Sequence, residues 1–240
     1  LPAWSQATQT DGLPYVMMKP RAVIFDFGGV LCFHPTEERF DRIAEMFGLS
    51  TLELLHVFWA HRTDYDAGKL DSRAYWGYVT EAAGAPFDEA QLPALIRHEV
   101  ELWNNFDPRI LAWAAHLQAR GVRTAILSNL PRSIGEALRT TPGFLDPFDH
   151  LTFSYELGVV KPQAEIYHHA LRGVGVAPEE ALFLDDRPEN IEGARQVGLL
   201  AEQYSTWEDF LRDGLSRYEL PRPTATIADR STGPKDETFP

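Results

Sequence analysis

The chain has 240 residues, 44% of them apolar, with a formal net charge of −13 and a pI of about 5.0. Such a surface repels nucleic acid and anionic membranes, and neither is expected as a partner. A small anionic substrate stays open, because a metal ion and a local cationic pocket outweigh distant, screened charge. No apolar run reaches 18 residues, so no transmembrane helix is expected, and residues 1–18 lack the features of a secretory signal. The single cysteine, Cys32, rules out an intrachain disulfide, fits a cytoplasmic protein and reads as a buried core thiol.

In chain order, residues 1–18 read as a flexible extension, and the adjacent Met17 and Met18 suggest a natural start there. Residues 21–26 form an apolar run suited to a strand buried on both faces, followed by a Gly28-Gly29 loop. From 35 to 104 the apolar spacing is helical, with helices expected over 39–47, 52–61, 72–83 and 92–103 and no strand between them. Helix and strand then alternate: helix 108–120, strand 122–128, helix 133–139, strand 149–154, helix 162–174, strand 181–185, helix 190–197 and strand 199–204. This pattern predicts an α/β fold, a Rossmann-like doubly wound parallel sheet, with an inserted helical cap. The expected core is 19–34 together with 105–218, the cap is 35–104, and 219–240 is a poorly packed, flexible tail.

In open parallel sheets ligands bind beyond the carboxyl ends of the strands, where Asp26, Ser128 and Asp185 fall. A carboxylate directly after a buried strand needs a partner, so Asp26 is a metal ligand, a turn-forming residue or a nucleophile able to attack phosphorus. The adjacent Asp185 and Asp186 repel each other and call for a cation, although Asp186 also suits a turn. Mg²⁺ takes hard oxygen ligands, which Asp26, Asp185 and the Gly28 carbonyl offer. Ser128 and Asn129 suit either an ordinary turn or phosphate oxygens. Lys161, before Pro162, suits a solvated loop or neutralisation of phosphate and carboxylates.

Taken together, Asp26-Phe27-Gly28-Gly29, Ser128-Asn129, Lys161-Pro162 and Asp185-Asp186 resemble the four motifs of the haloacid dehalogenase superfamily, over about residues 21–205. The resemblance is to the phosphatase branch that carries a helical cap. It implies Asp26 as nucleophile, Ser128 with Asn129 and the backbone N–H groups of Phe27 and Gly28 as phosphate binders, and Lys161 as the group that steadies both. It also implies Asp185 and Asp186 as metal ligands with Asp26 and the Gly28 carbonyl, and Asn190 as a supporting residue. The expected activity is Mg²⁺-dependent hydrolysis of a small phosphate ester, such as a sugar phosphate, by a monomer or homodimer.

One position departs from the pattern. The family's second aspartate, two residues after the nucleophile, is Gly28 here. Loss of general acid–base help commonly costs ~10²–10⁴-fold. His34 is a candidate substitute, read otherwise as a solvated hinge histidine. The cap aromatics Phe58, Trp59, Tyr65, Tyr75, Trp76 and Trp103 are candidates for shaping the pocket or for the cap's own core. Two alternatives remain at this stage: a 2-haloacid dehalogenase, against which Asp185-Asp186 counts, and a non-catalytic binding module.

Overall fold

The computed structural model of the chain describes residues 18–85 and 87–224. Residues 1–17 of the extension expected over 1–18, and residues 225–240 of the tail expected over 219–240, lie outside them. Five strands, β1 (Ala22–Phe25), β2 (Arg123–Ser128), β3 (His150–Phe153), β4 (Ala181–Asp185) and β5 (Leu200–Gln203), form one parallel sheet in the order β3-β2-β1-β4-β5. The order reverses beside β1, which pairs with β2 on one side and β4 on the other. That reversal opens a crevice at the carboxyl end of β1 and β4.

Alternation along the strands divides the core in two. Val23, Phe25, Ile126, Leu182 and Leu184 face Ile110, Trp113 and Leu117 of one helix. Ala22, Ile24, Ala125, Leu127 and Phe183 face Ile166, Tyr167, Ala170 and Ile191 on the other side. Both faces being covered explains why the strands read as continuous apolar runs.

Helices α1 (Glu37–Phe47), α2 (Thr51–Phe58), α3 (Arg62–Asp66), α4 (Ser72–Ala82) and α5 (Leu92–Leu102) lie between β1 and α6 (Pro108–Ala119). Among the described residues, 37–102 contain no strand. This segment encloses an apolar cluster of its own, in which Phe58, Tyr65, Tyr75 and Trp76 are almost fully buried, so these four belong to the core of the helical segment. Trp59 is largely exposed. Ser50 starts α2 with a reciprocal capping box with Glu53, and Gly48 closes α1 in the left-handed conformation.

The remaining helices are α7 (Arg132–Thr140), α8 (Ser154–Leu157), α9 (Ala164–Val174), α10 (Pro188–Gln196) and α11 (Trp207–Asp209), the last continuing as a π-turn over Phe210–Gly214. Helix α9 starts two residues later than its spacing predicts. Residues 160–163 close a turn instead, in which the Val160 N–H donates to Gln163 Oε1 and the Gln163 N–H to the Val160 carbonyl, each 2.9 Å. Short α3 and α8 carry too few residues to show a period.

The segment expected to be loose from 219 onward begins packed. Leu220 is buried, and the Trp113 indole N–H donates to the Pro221 carbonyl at 2.9 Å. An apolar side chain within a polar, proline-rich stretch is what anchors it.

Candidate active site

The site sits where β1 and β4 lie side by side. Register pairs Phe25 with Leu184, and the Asp26 N–H donates to the Leu184 carbonyl at 2.9 Å, so Asp26 and Asp185 leave the sheet together. Lys161, at the end of the loop after α8, reaches between them. Its ammonium lies 2.8 Å from Asp26 Oδ1 and 2.6 Å from Asp185 Oδ2. All three are buried, with 6% of Asp26, 4% of Lys161 and none of Asp185 exposed.

Each member has its own support. Asn190, in the first turn of α10, donates through Nδ2 to both Asp185 oxygens at 3.0 and 3.1 Å, and the Arg187 N–H adds a bond of 2.9 Å. Asn129 is turned toward Lys161: its Oδ1 accepts the Lys161 N–H at 2.8 Å and its Nδ2 donates to the Lys161 carbonyl at 3.1 Å. Asn129, expected among the phosphate binders, braces the lysine loop through its side-chain amide. Ser128 is buried at the end of β2, one strand from Asp26. The Phe27 N–H, expected to face phosphate, points to Asp26 Oδ1 at 2.6 Å.

Gly28 and Gly29 form a tight turn, closed by the Gly29 N–H to the Cys32 carbonyl at 2.8 Å. Gly29 is required twice over: its φ is +75°, and a Cβ would fall 2.7 Å from both Asp186 Cγ and His34 Nε2. His34 and Asp186 meet over this glycine, Nε2 to Oδ2 2.9 Å apart. The histidine read as a solvated hinge residue or an acid substitute is therefore at the site, in contact with the second motif-four carboxylate. Cys32 is a buried thiol, pushed up to about 12 by desolvation, and inert.

The charge balance is unusual. Asp26, Asp185 and Asp186 offer oxygens within 4.8 Å of one another, against one ammonium. Burial pushes Asp26 up to about 7, with Lys161 pulling down and Asp185 and Asp186 pushing further up. Burial alone would lower Lys161, but Asp185 and Asp26 outweigh it and hold it above the ordinary lysine value. A convergent, desolvated set of hard oxygens fits a divalent cation, which would supply the missing positive charge.

Above the crevice, sequence reasoning missed a second buried polar network. Arg62 lies 2.8 Å from Asp66 and from Glu99, and the Tyr65 hydroxyl and Ser133 Oγ also reach Glu99, at 2.9 and 3.0 Å. Ser133 is on α7, and Ser154 Oγ donates to the Asp66 carbonyl at 2.5 Å, so the network ties the helical segment to the sheet domain. Burial raises Asp66 to about 7 despite Arg62, and raises Glu99. The available signal was Glu99, a charge on the apolar face of α5. Trp103, just beyond α5, was named as a cap aromatic but not connected with Gly28, which it covers.

Comparison with known proteins agrees with this arrangement. The family model for haloacid dehalogenase-like hydrolases matches residues 20–198. A phosphoserine phosphatase from Thermus thermophilus is 30% identical over 169 residues, 66% of this chain and 65% of that protein, so the chain spans just under two thirds of that relative. A D-ribitol-5-phosphate phosphatase from Bacteroides thetaiotaomicron is 28% identical over 80% of this chain and 95% of its own length. A HAD family enzyme from Bacteroides thetaiotaomicron, solved as a magnesium complex, shares the fold with a TM-score of 0.67 at 21% identity, covering 84% of this chain and 100% of that one. With that fold, that match and those four segments gathered at one crevice, this chain belongs to the haloacid dehalogenase-like hydrolases, in the company of phosphatases.

Proposed function

We propose that this hydrolase is a Mg²⁺-dependent phosphomonoesterase for a small phosphorylated metabolite, a sugar phosphate being the favoured class, working through an aspartyl-phosphate intermediate. The observation that carries the reading is the Lys161 ammonium set between Asp26 and Asp185, with a third carboxylate, Asp186, within 4.8 Å of both acids. A lone structural salt bridge would need one acid, not three.

Asp26 is the nucleophile. Its Oδ1 is occupied by Lys161 and the Phe27 N–H, which fixes the carboxylate and leaves Oδ2 to attack phosphorus. Lys161 favours the charged form of Asp26 against the cost of its burial and neutralises the incoming phosphate, with Ser128 and the Gly28 backbone as further phosphate partners. Asn129 and Asn190 hold Lys161 and Asp185 in place. Asp26, Asp185, Asp186 and the Gly28 carbonyl would hold Mg²⁺, which offsets charge on the transferring phosphoryl group. The helical segment closes over the crevice and keeps bulk water out.

The second motif-four aspartate and the phosphatase relatives favour this reading over dehalogenation, which needs no metal. Phosphate release from a panel of sugar phosphates and one aryl phosphate, with Mg²⁺ and with EDTA, tests it. Mg²⁺-dependent turnover supports the proposal; halide release from 2-haloacids without metal would replace it.

A further inference from the structure

A divalent cation distinguishes carboxylates by how many of their oxygens are free. Ca²⁺ fills a large, flexible shell and readily takes both oxygens of one carboxylate, whereas Mg²⁺ demands a near-ideal octahedron of single oxygens and waters. In the cluster of Asp26, Asp185 and Asp186, every carboxylate already has an oxygen engaged by the protein. Asp26 Oδ1 accepts from the Lys161 ammonium at 2.8 Å and from the Phe27 N–H at 2.6 Å. Asp185 Oδ1 accepts from the Arg187 N–H at 2.9 Å, its Oδ2 from Lys161 at 2.6 Å, and the two oxygens share the Asn190 amide at 3.0 and 3.1 Å. Asp186 Oδ2 meets His34 Nε2 at 2.9 Å. None of the three can turn both oxygens to one ion without first losing a donor.

The three holds are unequal. Lys161 carries a full charge and is buried together with Asp26 and Asp185, and parting a buried pair is costly. The His34–Asp186 pair is wetter, with 41% and 24% of the side chains exposed. A carboxylate only accepts, so the His34 nitrogen that faces it carries the proton, and a neutral ring is enough for this. Among the described residues, no other side chain donates to the Asp186 carboxylate. The backbone of Asp186 is fixed separately, by Gln203 Nε2 donating to its carbonyl at 3.0 Å. What is left to set is the rotation of the carboxylate, and His34 sets it.

His34 is itself held. It follows Phe33, whose N–H donates to the Asn105 carbonyl at 2.9 Å where the chain enters and leaves the helical segment. Its ring meets Trp103 edge-on, with centroids 6.3 Å apart at 70°. The pair rests on the Gly29 backbone, where a Cβ would fall 2.7 Å from both Asp186 Cγ and His34 Nε2. The imidazole thus pins one oxygen of Asp186 and leaves the other, Oδ1, to a cation.

We infer that His34 is a specificity-determining residue for the metal ion: by holding Oδ2 it keeps Asp186 a one-oxygen ligand and so selects Mg²⁺ against Ca²⁺. The inference rests on the Mg²⁺ site of the proposed function and gives a role there to a residue that is not a ligand. It asks nothing of His34 as an acid or a base.

The test is calorimetric titration of Mg²⁺ and of Ca²⁺ into the full chain at pH 8, without substrate, for the native protein, His34→Ala, His34→Gln and His34→Asn. The native chain should bind Mg²⁺ more tightly than Ca²⁺. In His34→Ala both oxygens of Asp186 become available, and the ratio of the two dissociation constants should move toward Ca²⁺ by about tenfold or more, the size of effect that partners of metal ligands commonly have. Gln places an amide N–H where Nε2–H stands and should restore the native ratio. The Asn amide matches only Nδ1, falls short of Asp186 and should behave like Ala. A merely structural role would weaken both ions alike and leave the ratio unmoved. Because Asn and Gln share the amide and differ by one methylene, their contrast carries the test even where the alanine variant fails to fold. An unchanged ratio in the Ala and Asn variants, a Gln variant that does not restore it, or a native chain that prefers Ca²⁺ would overturn the inference and leave the phosphatase reading intact. A native chain that binds no Mg²⁺ would overturn the metal reading along with it.

Discussion

Asp26→Asn should make the metal-free protein more stable, and increasingly so as pH rises. The Asp26 carboxyl is raised from 3.8 to about 7 because burial disfavours its charged form more than Lys161 favours it. Between these values the native state holds a proton that the unfolded chain has released. Stability therefore falls with rising pH across that window and levels off above it. At 1.36 kcal/mol per unit, ionising this carboxylate in the folded protein costs on the order of 4 kcal/mol at pH 8. Asparagine is a neutral near-isostere and escapes that cost. In EDTA at pH 8 the variant should unfold on the order of 10 °C higher than the native chain, and at pH 4 the two should nearly coincide. Adding Mg²⁺ should stabilise the native protein more than the variant and shrink the gap. A gap absent at every pH, or a variant less stable at pH 8, would refute the claim that burial of Asp26 is the dominant electrostatic cost here.

Three further outcomes follow from neighbouring contacts. Asn190→Ala removes both side-chain bonds to Asp185, so the Mg²⁺ concentration for half-activation should rise about 10–100-fold, read from a metal titration of turnover. Arg62→Met leaves Asp66 and Glu99 buried without their cation and should cost about 3–5 kcal/mol in urea unfolding at pH 8. That deficit should shrink as pH falls, because burial raises both acids and protonation removes the charge left without its cation; a pH-independent loss would point to packing instead. Gly68 and Gly48 both have positive φ, but a Cβ on Gly68 would lie 2.6 Å from the Tyr155 carbonyl oxygen while Gly48 faces open space. Gly48→Ala should cost about 1–2 kcal/mol from backbone strain, and Gly68→Ala at least about 1 kcal/mol more. Equal losses would mean that loop 67–68 is not pressed against the sheet domain.

The sheet was legible because both of its faces are covered, which turns every strand into an apolar run such as Val23-Ile24-Phe25. The helices with three turns carried a readable period, whereas α3 and α8 were too short to carry one. Asp26, Lys161, Asp185 and Asp186 could be picked out because each stands at the polar end of an apolar segment, and the structure brings all four together. What the sequence did not carry was direction. Nothing in Ser128-Asn129 says that the amide turns to the lysine backbone, and nothing near Gly28 says that a tryptophan 75 residues away covers it. The Arg62–Glu99 pair was equally hidden, since its partners lie on helices whose pairing depends on the tertiary fold.

The central claim is that Asp26 carries the phosphoryl group. It is tested most directly by acid-quenching the enzyme during turnover of an aryl phosphate and mapping the phosphorylated peptide. The account predicts phosphate on Asp26 in Mg²⁺, none in EDTA, and none in Asp26→Asn, which should also lose turnover. Phosphate on another side chain, or full turnover in Asp26→Asn, would contradict it.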